Sequence, residues 1–122
     1  MRDVFKAALV AFALSAAFAA PVAAGPLEDG VAAYERGDYA AAFRLMRPLA
    51  EQGDASAQFN LGIMYSEGKG VTHDHIQAHM WFNLAAARGE EKARENRDIV
   101  AKQMTTAQVV EAQRLAREWR PK

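Results

Sequence analysis

An all-α chain of about three stacked helical hairpins is what this sequence predicts, on three observations. Apolar and small residues recur at helical spacing in each segment after residue 25, as in Ala57, Leu61 and Tyr65, or Ala78, Phe82, Ala85 and Gly89. Several residues return 36 positions later: Ala42 as Ala78, Gly53 as Gly89, Ala57 as Ala93 and Asn60 as Asn96. Helix-start patterns stand ahead of two of the stripes, Asp74 with Gln77 and Thr105 with Gln108.

Residues 1–24 read as a targeting segment. Arg2 and Lys6 supply a positive start, Ala7 through Ala20 an apolar stretch, and Val22, Ala23 and Ala24 small residues ahead of Gly25. The expected cleavage follows Ala24, which sends the product to the periplasm or outside the cell. The apolar run before Pro21 is shorter than the roughly 20 residues a spanning helix needs, so no stable membrane insertion is expected after cleavage. The chain has no cysteine, hence neither a disulfide nor a thiol for acylation. Of the 15 basic and 15 acidic residues, Arg2, Lys6 and Asp3 precede residue 25, leaving a near-neutral remainder that offers nucleic acid no electrostatic footing. Residues 25–122 suffice for one domain that buries roughly 60 to 65% of its unfolded surface.

Residues 25–53 form a shortened first hairpin. Leu27, Val31 and Tyr34 make one stripe; Tyr39, Ala42, Phe43, Met46, Leu49 and Ala50 make another after the Gly37-Asp38 turn. Pro48 is expected to bend the second helix near its last turn without breaking it, since the stripe continues through Leu49 and Ala50.

Residues 54–89 form the complete unit, whose core repeat is 57–89. Small residues at 57, 62, 78, 85 and 86 allow two backbones to approach, and Tyr65 and Phe82 are expected to fill the wedge between them. Gly68 and Gly70 release the chain from the first helix; Asp74 caps the second, which Arg88 and Gly89 close. The ordered set Ala57, Leu61, Gly62, Tyr65, Gly68, Gly70, Val71, Asp74, Ala78, Trp81, Phe82, Ala85, Ala86 and Gly89 resembles the Sel-one-like repeat, a relative of the tetratricopeptide repeat. The resemblance implies an α-solenoid that serves protein–protein contact and has no chemistry of its own.

Residues 90–122 keep the helices and lose most of the signature. A charged helix leads to Met104, and a second one follows Thr105 with Val109, Ala112, Ala116 and Trp119 on one face before Pro121 stops it. This polar pair reads as a C-terminal capping hairpin. Trp81, Met80 and Trp119 are read as packing residues between neighbouring hairpins.

Ser66, Glu67, Gly68 and Lys69 match the S-x-x-K of serine β-lactamases, but glycines unwind the chain where the lysine must return to the serine, and neither S-D-N nor K-T-G follows. His73, His75 and His79 are the three histidines; His75 and His79 lie four apart, yet no orienting carboxylate accompanies them, so no metal is assigned. No cofactor fingerprint or acid pair is present, and the chain is read as a non-enzyme. By resemblance to tetratricopeptide proteins, Phe59, Asn60 and Ile63, with Asn96 in the next unit, line a concave face. There the two amides would hold the backbone of an extended protein or peptide segment, and Phe59 and Ile63 would add apolar contact. The alternative is a small homo-oligomer that covers an apolar stripe left at one end.

Overall fold

The computed structural model describes residues 25–122, and the targeting segment expected over 1–24 lies outside the described residues. Among the described residues six α-helices follow one another: α1 (Pro26–Glu35), α2 (Tyr39–Glu51), α3 (Ala55–Glu67), α4 (His75–Ala87), α5 (Glu91–Ala101) and α6 (Thr106–Glu118). The all-helical solenoid is therefore present, with α1 paired to α2 and α3 to α4.

Helix starts sit where short acceptor side chains stand. The carboxylates of Asp38, Asp54 and Asp74 accept from the backbone N–H of Ala41, Ala57 and Gln77. Thr105 and Gln108 close both bonds of their box, at 3.1 and 2.9 Å. α2 runs on through Pro48 to Glu51. Between α3 and α4 the glycines are required: Gly68 and Gly70 have φ of 68° and 75°, and a side chain on Gly70 would collide with the Tyr39 carbonyl. Lys69 lies over the Tyr39 ring, 4.7 Å from its centroid, so this turn docks on the start of α2.

The core is continuous from α1 to α6 and rests on the α3–α4 pair. At Gly62 an added Cβ would stand 2.5 Å from the Phe82 ring, so the missing side chain is what lets α4 approach α3. Phe82 also meets Phe59, with centroids 5.9 Å apart. Tyr65 does not share that wedge. It turns to α2, edge-on to Phe43 at 5.7 Å, because the Phe59 and Gly62 face, not the Tyr65 face, points at α4. Tyr34 donates to Glu67 Oε1 at 2.8 Å and ties α1 to the end of α3; burial first, then Glu67, pushes its phenol above the usual range.

The third unit departs from a simple hairpin. α5 packs on α4, and α6 lies against α4 instead of pairing with α5. Glu91, Lys92, Arg94, Glu95 and Asp98 are exposed, so α5 offers α6 little apolar surface, whereas Trp81 of α4 receives Trp119 edge-on at 6.3 Å. The chain end then reaches α2, where the Lys122 N–H donates to the Glu51 carbonyl at 2.8 Å. Among the described residues no helix is long and apolar enough to cross a membrane, and Val110 is the one large apolar side chain left exposed.

Candidate functional site

α3 places its side chains at about 100° per residue, so its neighbours divide its surface. Gln58, Leu61 and Tyr65 belong to the α2 side: Gln58 Nε2 donates to the Ala50 carbonyl at 3.1 Å, and Tyr65 meets Phe43. Phe59 and Gly62 belong to the α4 side, against Phe82. Asn60 and Ile63 project between and away from these two directions, on a face that also carries Ser56 and Glu67. Asn96 stands on the inward stripe of α5, between Ala93 and Val100.

The four residues expected to offer an open concave face do not do so. Phe59 is 4% exposed, Asn60 and Ile63 are 0%, and Asn96 is 2%. Phe59 is a core residue, because its ring is committed to Phe82. The other three are equally enclosed, so none is available to a partner without some opening of that face.

Their chemistry is nonetheless unusual for an interior. Neither Oδ1 nor Nδ2 of Asn60 has a hydrogen-bond partner, nor does Nδ2 of Asn96. An amide group taken from water and left unpaired costs about 1–3 kcal/mol, and native interiors carry few of them. Two amides one repeat apart, both with unused capacity, can bind a peptide backbone, since one asparagine can accept from an N–H and donate to a C=O.

The remaining candidates disperse. Ser66 donates its hydroxyl proton to the Ile63 carbonyl at 2.8 Å, and Lys69 lies on Tyr39, so serine and lysine are engaged apart from each other. His73 and His75 meet edge-on at 4.2 Å, and burial followed by His73 holds the His75 imidazole below its ordinary value. His79 is buried elsewhere, near Arg97 of α5, and no three His, Cys, Asp or Glu converge on a metal position among the described residues. Sequence reasoning overlooked Gln58, whose Oε1 is also buried and unpaired; His79 Nδ1 and Trp81 Nε1, on residues considered for other roles, are unpaired as well. The available signal for Gln58 was its place one turn before Leu61 and two before Tyr65, on the α2 side.

Comparison with known proteins follows the same units. The Sel1 repeat profile matches residues 25–54 and again 55–90, together just over half of the chain. The ERAD-associated E3 ubiquitin-protein ligase component HRD3A of Arabidopsis thaliana is similar, 33% identical over 61 residues that make up 49% of this chain. The match spans only 9% of that plant protein's length. No solved structure gives a significant match.

Proposed function

The chain belongs to the Sel1 repeat family, and from that membership we propose that it is an exported, non-catalytic module that holds an extended segment of a protein partner. Sel1 repeats mediate protein–protein interaction, and the family is generally a non-catalytic scaffold. The contact residues are Asn60 and Asn96, which take the partner's backbone, and Ile63, which gives it apolar contact. One observation carries this reading: three amide atoms on these two asparagines are buried and unpaired. A passing peptide backbone supplies the missing donors and acceptors regardless of its side chains.

Because the face is enclosed, binding requires it to open. Intact-mass measurement of the exported protein tests cleavage after Ala24. Peptides selected from a displayed random library by the exported protein then serve as ligands. Asn60→Ala combined with Asn96→Ala is expected to weaken their binding at least tenfold with helicity unchanged, and methylation of the peptide's backbone nitrogens to have a similar effect. Equal binding by the wild type and the double variant would remove the asparagine face from consideration.

A further inference from the structure

We propose that His79 makes the α4–α5 seam acid-sensitive, so that protonation of its imidazole releases α5 from α4. The geometry comes first. His79 is 4% exposed and its Nδ1 has no hydrogen-bond partner. One helical turn further along the same face of α4, Asn83 Oδ1 accepts from Arg97 Nη1 of α5 at 2.9 Å. That bond fixes a guanidinium beside the histidine. A protonated His79 would therefore be a second cation in a part-buried seam, where charges interact more strongly than in water.

The charged surroundings offer little compensation, Asp98 being the smallest of the three influences on His79. From α5, Arg97 and Asp98 act on His79, and the Asp98 carboxylate is already paired with Arg97 at 3.1 Å and largely exposed. From α3, the ionisable side chains are Tyr65, which faces α2, and Glu67, which receives the Tyr34 hydroxyl. From α6, Glu111, Arg114 and Glu118 form ion pairs with one another, and Arg117 is exposed. Burial, then Arg97, holds the imidazole below its ordinary value of 6.5. A depressed histidine leaves the fold unaffected above that ordinary value. Stability is lost as pH falls below it, because the opened state takes up the proton first.

Hydrogen exchange of the whole chain at pH 7.5 and pH 5.0, corrected for intrinsic rates, separates this seam from the rest. Each pH unit over which the closed seam excludes the proton raises its opening constant about tenfold. Protection over 91–101 is expected to fall at least tenfold more than over 39–51, and His79→Gln to remove the difference. Arg97→Met should shrink it. His75→Gln should leave it in place, since His75 opens α4 against His73, about two turns from the Asn83–Arg97 bond. Should His79→Gln not fold, the wild-type His79 ring followed by NMR must stay neutral through pH 6.5. Parallel loss of protection in α2 and α5, or a His79 ring that titrates at its ordinary value, overturns the proposal.

Discussion

α3 and α5 occupy the same place in successive repeats and have opposite surroundings. Ala57 and Ala93 correspond, as do Asn60 and Asn96, and all four are buried. Every residue from 57 to 65 of α3 is buried, whereas α5 buries only Ala93, Asn96 and Val100. The cause is the number of neighbours. α3 stands between α2 and α4, while α5 has α4 on one side and an exposed charged face on the other, because α6 folds back onto α4. A repeat signature is thus a record of packing on both sides; an end unit retains only its inward stripe.

The comparison is broken most sharply at the pair 62 and 98, which share one register. Gly62→Val drives a branched side chain into the Phe82 ring and is expected to cost about 3 kcal/mol, read as a lower urea midpoint. Asp98→Val, at the equivalent position on α5, should stay within about 0.5 kcal/mol because that side chain is 64% exposed. Equal losses at the two sites would mean that α5 is packed on both sides.

The two asparagines sharpen it with the opposite sign. Asn60→Leu removes two unpaired buried polar atoms and is expected to stabilise by about 1–2 kcal/mol; Asn96→Leu removes one, with a gain of about 1 kcal/mol or less. Both changes should weaken peptide binding. A gain in stability together with a loss of binding would separate use from structure at these positions. Destabilisation by Asn60→Leu would instead show that its amide serves the fold.

The helices and their turns were legible because they depend on local chemistry: aspartates and Thr105 at helix starts, glycines at positive φ, and stripes at helical spacing. Facing was less legible. Periodicity says that Tyr65 and Phe59 are buried on α3, but which of them meets Phe82 depends on the direction from which α4 approaches, and that is set by Gly62. Exposure was misjudged at Asn60, Ile63 and Asn96 for the same reason. A polar residue on a helix is ordinarily read as solvent-facing, and no pattern within one segment reveals that its face will be enclosed. The return of α6 onto α4 brings Trp119 against Trp81; both read as packing residues, but which helix α6 meets is a long-range choice that local patterning does not encode.

The smallest effects come from the caps, and they test whether α6 belongs to the same cooperative unit as the central pair. Asp74 starts α4, on which α3, α5 and α6 all rest, so Asp74→Ala should cost about 1 kcal/mol of global stability. Thr105→Ala removes one bond of the box that opens α6, worth a similar amount to that helix alone. α6 is held by one face, through Ala112, Leu115, Ala116 and Trp119, so it can open before the remainder unfolds. The loss at Thr105 should therefore appear as faster hydrogen exchange over 106–118, roughly fivefold for 1 kcal/mol, with the urea midpoint nearly unchanged. If instead both variants shift the midpoint equally, α6 opens only with the core, and its place against α4 makes it as central as α3.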